Sequence, residues 1–239
     1  MKKNYELTII IPVYNEQENI FCVKDAFINY QKVCCLDFKV LFVNDGSTDK
    51  SLEYIKDVCA INEFFEYISF TKNEGLSAAI KAGFDNAKTP WIGYIDADLQ
   101  TQPEDFELLL AHRHEYDLIT GVRTGRKDSF IKNISSKMAN GIRRAFTHDG
   151  MDDTGCPLKI IKTNIAQKIP MFKGLHRFLP AMVLLQNASV LQVPVRHFER
   201  INGKSKFGLH NRLLGPLMDC FAYLWMKKKY INYNIDPKA

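Results

Sequence analysis

The chain has 239 residues, of which 46% are hydrophobic and 25% charged, as expected for a globular α/β domain with a sizeable core. Its six cysteines form no CxxC pair, and no leader-peptide pattern follows Met1, so we expect reduced thiols in the cytoplasm. No apolar run reaches the roughly 18 residues that a spanning helix needs.

Charge is divided unevenly between the two halves of the chain. Residues 1–120 contain 11 Lys/Arg and 20 Asp/Glu, a net charge of −9, whereas residues 121–239 contain 21 and 7, a net charge of +14. This asymmetry indicates one half that handles cations and another that meets an anionic partner, such as a membrane surface or a phosphorylated substrate. The aromatic-and-basic strand pattern of RNA- and DNA-binding modules is not visible, which argues against nucleic acid.

The first half alternates apolar strands with helical segments. We predict strands at Leu7–Tyr14, Phe38–Asn44, Tyr67–Phe70 and Trp91–Ile95, and helices at Glu16–Val33, Thr48–Ala60 and Glu74–Ala87. In the second half we predict strands near Asp117–Val122, Leu158–Ile161 and Leu191–His197, and helices near Ser129–Phe146, Phe178–Gln186 and Asn211–Lys228. This alternation predicts a Rossmann-like, mostly parallel sheet flanked by helices.

Polar clusters follow three of the predicted strands, in the segments 15–16, 44–47 and 96–98. Right-handed crossovers bring the carboxyl ends of parallel strands to one edge of a sheet, so these clusters should line one crevice. Asp96 and Asp98 would be costly to bury without a partner, and a divalent cation such as Mg²⁺ or Mn²⁺ is a natural one. The alternative is an acidic cap for a helix that begins near Pro103. Neither a GxGxxG after the first strand nor a GxxxxGK[ST] occurs, which disfavours NAD and P-loop enzymes.

Four segments in the first half carry a family resemblance: IPVYNEQENI (11–20), FVNDGSTDKS (42–51), NEGLSAAIKAGFDNA (73–87) and YIDADLQTQPED (94–105). They resemble family 2 glycosyltransferases of the GT-A fold, in the branch of dolichol-phosphate mannose synthases and undecaprenyl-phosphate sugar transferases. The resemblance implies one GT-A domain over 1–239, with a nucleotide and metal half (1–120) and a basic acceptor half (121–239) that ends in a helical extension.

The resemblance also assigns the donor side. It implies an inverting, metal-dependent enzyme that uses a UDP- or GDP-sugar, UDP being slightly preferred. It places the nucleotide-sugar against Pro12, Tyr14, Glu16, Asp45, Asp96 and Lys206. It makes Asp96, Asp98 and Gln100 the DxDxQ ligands of Mg²⁺ or Mn²⁺, with Asp98 and Arg200 catalytic. An R-x-x-G-x-S-K segment that closes on the donor diphosphate is matched by Arg200, Gly203, Ser205 and Lys206.

The acceptor side follows the same resemblance. The branch binds an acceptor phosphate at positions matched here by Arg123, Arg126, Ser135 and Lys137. A polyprenyl phosphate is largely ionised at neutral pH and needs cations rather than a base. A sugar hydroxyl would instead need a base, for which Asp152 or Asp153 is the candidate, in an enzyme that elongates a surface glycan. A third hypothesis is a non-catalytic subunit that binds nucleotide-sugars.

The C-terminal segment Leu213–Met226 is apolar apart from Asp219 and continues into three lysines, 227–229. It suits a helix that lies in a membrane interface, or a core helix with cations at its C-terminus. We therefore expect a peripheral protein on the inner face of the cytoplasmic membrane. A membrane-protein partner and self-association stay open.

Overall fold

A computed structural model describes residues 4–124, 141, 143–198 and 214–231 of the chain. In these residues seven strands form one sheet in the order β3-β2-β1-β4-β6-β5-β7. The strands are β1 (Leu7–Val13), β2 (Phe38–Asn44), β3 (Phe65–Ser69), β4 (Trp91–Tyr94), β5 (Leu118–Thr124), β6 (Lys159–Lys162) and β7 (Val190–Arg196).

Helices cover both faces of this sheet. The α-helices with described bounds are α1 (Ile20–Tyr30), α2 (Ser51–Ile61), α3 (Leu76–Asn86), α4 (Phe106–Leu110), α5 (Thr163–Gln167), α6 (Leu179–Leu185) and α7 (Leu214–Lys229), and residues 143–147 are helical as well. Short 3₁₀ turns precede α4 and α6, at Pro103–Asp105 and Leu175–Phe178.

The continuous apolar run of β1 reflects its burial on two faces. Ile9 and Ile11 belong to one buried cluster with Phe27 and Phe42, whereas Ile10 belongs to the other. Successive side chains of a strand point to opposite faces, so a strand with helices on both sides is mostly apolar. The polar residue of β1, Thr8, is buried and its hydroxyl pairs with that of Thr89 at 2.8 Å.

Strand β6 runs against its neighbours. It pairs antiparallel with β4, with Lys159 opposite Tyr94, and antiparallel with β5, with Lys159 opposite Thr120. The two strands on either side of it are therefore parallel to each other. As a result, the beginning of β6 lies at the same edge of the sheet as the ends of β4 and β5.

The predicted mostly parallel α/β sheet is confirmed, while two predicted helices start too early. The first helix begins at Ile20 rather than Glu16, because the main-chain N–H of Glu16 donates to Ser51 Oγ at 2.8 Å across the loops. The second begins at Ser51 rather than Thr48, because the Thr48 N–H donates to Asn15 Oδ1 at 2.8 Å. These bonds hold both segments outside their helices.

Several other predicted bounds shift by one to three residues. The predicted strand at Tyr67–Phe70 is Phe65–Ser69, and the predicted last helix is described over Leu214–Lys229. Of the predicted helix at Ser129–Phe146, only residue 141 and residues 143–146 lie in the described part, where they are helical. Among the described residues, no helix combines the length and the apolar character needed to cross a bilayer.

Candidate active site

The carboxyl edge of the sheet gathers the polar residues that the sequence singles out. Strands β1, β2, β4, β5 and β7 run in one direction and end at this edge, and β6 begins there. Open α/β sheets bind ligands in the crevice outside these strand ends. The predicted convergence of the three polar clusters is therefore present.

Asp45 follows β2 and is held rigidly. Its carboxylate accepts hydrogen bonds from Asn73 Nδ2 at 2.9 Å and from the main-chain N–H groups of Glu74 at 2.7 Å and Gly75 at 3.0 Å. Burial raises the pKa of Asp45, whereas these two N–H groups lower it. A carboxylate offers about four acceptor positions, and the Gly75 N–H also reaches the other oxygen at 3.2 Å, so these donors take up most of the positions.

The loop after β1 forms the neighbouring wall of the crevice. Asn15 has a positive φ of 52°, and its N–H donates to Ser47 Oγ at 3.0 Å. Glu16 accepts from Asn19 Nδ2 at 2.7 Å, while Tyr14 is 36% exposed. Pro12 lies beside Val43 in the β1–β2 register. The structure thus places the four predicted nucleotide-pocket residues on two adjacent strand ends.

Asp96 and Asp98 follow β4 and share a small, partly buried loop. Asp96 Oδ1 accepts from the Tyr94 hydroxyl at 2.7 Å, and Asp98 Oδ1 accepts from the Gln100 N–H at 3.2 Å. Leu99, directly after Asp98, has a positive φ of 50°, a strained conformation for a residue with a branched side chain. Burial, and then the charge of Asp98, raise the pKa of Asp96 to about 6.

The two carboxylates fit a divalent cation. Their mutual repulsion in a desolvated loop would be relieved by a cation, and Mg²⁺ commonly takes one or two protein carboxylates with substrate phosphates as further ligands. Among the described residues, no three His, Cys, Asp or Glu side chains form a group that could hold a metal. The Asp96–Asp98 pair would therefore hold a cation only with further ligands, such as substrate oxygens.

Gln100 links this loop to the end of β7. Its carbonyl accepts from the Phe198 N–H at 2.9 Å, and its side-chain amide lies 3.5 Å from the Phe198 carbonyl oxygen. The predicted donor-binding residues Arg200, Gly203, Ser205 and Lys206 follow Phe198 in the chain and lie outside the described residues.

Arg123, near the end of β5, forms a bidentate ion pair with Asp153. Arg123 Nε donates to Asp153 Oδ2 at 2.7 Å and Nη2 donates to Oδ1 at 2.8 Å, with both side chains largely buried. Although burial opposes it, this pairing lowers the pKa of Asp153 and raises that of Arg123. The predicted phosphate ligand and the predicted base therefore bind each other. The other acceptor residues, Arg126, Ser135 and Lys137, lie outside the described residues.

Lys159 and Tyr94 complete the site and were missed by sequence reasoning. Lys159 is buried, and its ammonium donates to the carbonyl oxygens of Thr154, at 3.4 Å, and Cys156. Its charge, with that of Arg123, lowers the pKa of Asp96. The available signal was a lysine inside the apolar run LKII, at the start of a strand.

Two histidines of the second half, His176 and His197, differ in their surroundings. His176 Nδ1 lies 2.8 Å from Ser77 Oγ, and burial lowers the pKa of His176 to about 3. Ser77 belongs to the first turn of α3, directly after the loop that holds Asp45. His197 lies at the end of β7. The His176 contact connects the second half of the chain to the start of α3, beside Asp45.

The fold and this strand-edge site define a glycosyltransferase of the GT-A type. Residues 8–174 match the sequence model of Glycosyl transferase family 2. The chain belongs to this family.

Sequence relatives agree with this assignment. The chain is 28% identical over 236 residues to a dodecaprenyl-phosphate galacturonate synthase of Rhizobium johnstonii, covering 95% of this chain and 68% of the relative.

Solved structures share the fold at low sequence identity. A glucosyl-3-phosphoglycerate synthase of Mycobacterium tuberculosis, in complex with Mn²⁺, UDP and glucosyl-3-phosphoglycerate, superposes with a TM-score of 0.69 at 12% identity, over 97% of this chain and 82% of that one. A mannosyltransferase of Pyrobaculum calidifontis with GDP-Man and Mn²⁺ gives 0.68 at 15% identity, over 99% and 67%. The predicted GT-A fold and glycosyltransferase class are confirmed.

Proposed function

We propose that this chain transfers a sugar from a UDP-sugar to a polyprenyl phosphate, with inversion, on the inner face of the cytoplasmic membrane. An acceptor phosphate oxygen forms the new bond to the anomeric carbon while the bond from that carbon to the diphosphate breaks. The electron pair leaves with UDP. Attack opposite the leaving group inverts the anomeric centre.

The Arg123–Asp153 pair is the observation that carries the acceptor assignment. A sugar hydroxyl needs a base, but both oxygens of Asp153 accept from Arg123 and its pKa is lowered. Asp152 is exposed and lies 3.0 Å from Arg144 Nη1. A phosphate monoester, with a second pKa near about 6, is already an anion and needs no base. The relative that makes a polyprenyl-phosphate sugar points to the same acceptor class.

The donor side supports UDP through Asp45. Three donors already take up most of the acceptor positions of its carboxylate, so little acceptor capacity remains for the base. Uracil presents a single ring N–H, whereas guanine presents a ring N–H and an amino group. Pro12, Tyr14 and Glu16 would line the same pocket.

The leaving diphosphate needs cations around it. Asp96 and Asp98, with Gln100 beside them, would hold Mg²⁺ or Mn²⁺, which neutralises charge developing on the diphosphate when it is bound. Arg200 and Lys206 would bind the diphosphate oxygens from the other side. Arg126, Ser135 and Lys137 would orient the acceptor phosphate, together with Nη1 of Arg123, whose Nε and Nη2 bind Asp153.

A cytoplasmic, peripheral location accompanies this proposal. All six cysteines are free thiols, as is usual in a reducing compartment. Cys34 and Cys35 are adjacent in the chain, and Cys35 is exposed.

Nucleotide release tests the proposal. We would assay UDP- and GDP-sugars with Mn²⁺ or Mg²⁺, with and without undecaprenyl phosphate, for the wild type and Asp98→Asn. We expect UDP release that requires both metal and lipid phosphate and falls at least roughly 100-fold in Asp98→Asn, the size typical of one lost transition-state contact. UDP release that does not depend on the lipid phosphate, but is lost when Asp152 or Asp153 is replaced, would favour a sugar-hydroxyl acceptor.

A further inference from the structure

Helix α7 exposes a row of large apolar side chains, which we call the α7 apolar face: Leu217, Met218, Phe221 and Trp225. Met218 and Trp225 are each 67% exposed and Phe221 is 52% exposed. Spacings of three, four and seven residues place these side chains on one side of a helix. Exposed apolar clusters of this kind mark binding surfaces more often than isolated apolar residues do.

The opposite side of α7 is firmly packed. Cys220 and Tyr223 are buried in the core cluster, and the Tyr223 ring stacks on Phe178 with 5.7 Å between centroids. The acidic residue of the helix, Asp219, lies on this packed side, where its carboxylate is 3.7 Å from Arg177. The core therefore fixes which side of α7 faces outward.

Cations border the α7 apolar face. Lys227, Lys228 and Lys229 end the helix and are exposed. Two of them line a cavity of about 610 Å³ between α7 and residues 145–148, whose lining consists of Ala145, Phe146, His148, Leu224, Lys227 and Lys228. An apolar floor with ammonium groups at its rim matches an amphiphile that carries a negative headgroup.

Helix α7 is connected to the catalytic edge through a short chain of contacts. Asp219 lies directly against Gly174, whose N–H donates to Ser77 Oγ at 3.0 Å. Ser77 is in the first turn of α3, and Gly75 just before it donates to Asp45. The α7 apolar face therefore belongs to a segment anchored beside the nucleotide side of the crevice.

We propose that the α7 apolar face, with its lysines and the adjoining cavity, docks the chain on an anionic phospholipid bilayer. Phe221 and Trp225 enter the interface, and the three ammonium groups meet lipid phosphates. Tryptophan and lysine suit this zone because each combines an apolar body with a polar end. The inference rests on the proposed function, because docking beside the crevice would bring a lipid-borne phosphate to it.

Vesicle co-sedimentation of the 239-residue chain tests the docking. The vesicles are phosphatidylcholine with or without phosphatidylglycerol, and the variant is Phe221→Ser with Trp225→Ser. Ile61→Ser is the matched control, since Ile61 is 76% exposed on α2, away from this face. We expect binding to phosphatidylglycerol vesicles that falls at least about tenfold in the double variant and is unchanged in the control.

Lysine substitution provides a second variant on the same surface. We expect vesicle binding to weaken about fivefold for each single substitution Lys227→Gln, Lys228→Gln or Lys229→Gln, because a lysine near an anionic surface contributes about 1 kcal/mol. The remaining binding should depend less on the salt concentration. Wild-type binding that equals that of the Phe221→Ser, Trp225→Ser variant would overturn the proposal. A dimer that this variant dissociates, with no vesicle binding by the wild type, would also overturn it and assign the face to a second copy.

The two proposals can fail separately. Transfer to a short, water-soluble polyprenyl phosphate without vesicles should proceed at the wild-type rate in the Phe221→Ser, Trp225→Ser variant. If the water-soluble acceptor is glycosylated but the wild type does not bind vesicles, the docking proposal is overturned and the acceptor assignment stands. Vesicle binding that the double variant loses, without transfer to any lipid phosphate, would uphold docking and overturn the acceptor assignment.

Discussion

Arg123 and Asp153 show how one pair of residues can restrict the chemistry of a site. The pair is bidentate and largely buried, so each charge is balanced by its partner rather than by water. Removing one member of such a pair leaves an uncompensated buried charge, which typically costs about 3–5 kcal/mol. Replacing either Arg123 or Asp153 should therefore lower the stability of the fold as well as acceptor binding.

A double-mutant cycle measures this coupling. We expect Asp153→Ala to lower the free energy of unfolding by about 3 kcal/mol or more, and Arg123→Met with Asp153→Ala to lower it by less. The reason is that the double variant buries no lone charge. Urea unfolding of the wild type, both single variants and the double variant gives the result. Additive losses would show that the two side chains do not stabilise each other.

His176 predicts a pH dependence of stability. Burial lowers the pKa of His176 to about 3 from 6.5, so the folded chain keeps the ring neutral where an unfolded chain protonates it. The resulting stability is complete above pH 6.5 and is lost as the pH falls below it, by about 2 kcal/mol at pH 5.

Urea midpoints at pH 7 and pH 5 test this for the wild type and for His176→Asn, whose amide can still bond Ser77. The variant should lose less stability than the wild type between the two pH values. An equal loss in both proteins would mean that His176 titrates normally in the folded chain.

The β2–α2 loop approaches the loop before α3 so closely that it requires a glycine. Gly46 has φ of +63°, and a Cβ atom there would overlap the main chain of Lys72 and Asn73. Gly150 has a similar φ of +69° but no atom near its Cβ position. Comparing the two positions separates the cost of the backbone conformation from the cost of the clash.

We expect Gly150→Ala to cost about 1 kcal/mol of stability, from the positive φ alone. Gly46→Ala should cost more, about 2–4 kcal/mol, and should weaken UDP binding because it displaces the Asn73 and Glu74 groups that hold Asp45. Thermal unfolding and calorimetric titration with UDP check both effects. Equal costs at the two glycines would contradict the close approach.

The parallel half of the sheet was predictable because its strands are continuous apolar runs. Phe38–Asn44 was predicted with the observed bounds, and double burial explains why the pattern is so clear. The starts of α1 and α2 were not predictable, since they depend on bonds between the segments 15–17 and 47–51, which are distant in the chain. Local sequence contains no signal for such bonds.

The candidate site also has a part that the sequence predicts and a part that it does not. The strand-end rule predicted that Asp45 and Asp96 would share one edge. It could not predict the effect of the Lys159 charge on Asp96 or the Arg123–Asp153 pair, because both depend on β6 entering between β4 and β5 in reverse direction. That insertion is a property of the whole topology, not of any segment.

Ligand binding should stabilise the whole molecule if the crevice holds donor and metal together. With UDP and Mn²⁺ near 100 times the dissociation constant, the gain is about 2.7 kcal/mol. For a chain of this size that corresponds to a rise in Tm of roughly 5–10 °C. Differential scanning fluorimetry with UDP, Mn²⁺, both, or both plus EDTA measures it. A shift with UDP that EDTA does not reverse would contradict metal-assisted binding.

The antiparallel insertion of β6 also sets an order in which the sheet can assemble. Strands β1 to β4 pair among themselves and are complete once Tyr94 has been synthesised. Strand β5 pairs only with β6 and β7 among the described strands, and both come later in the chain. Pulse-labelled hydrogen exchange during refolding should find the amides of β1 and β2 protected before those of β5, and simultaneous protection would exclude this order. The half of the sheet proposed to bind the nucleotide would then form before the half proposed to bind the acceptor.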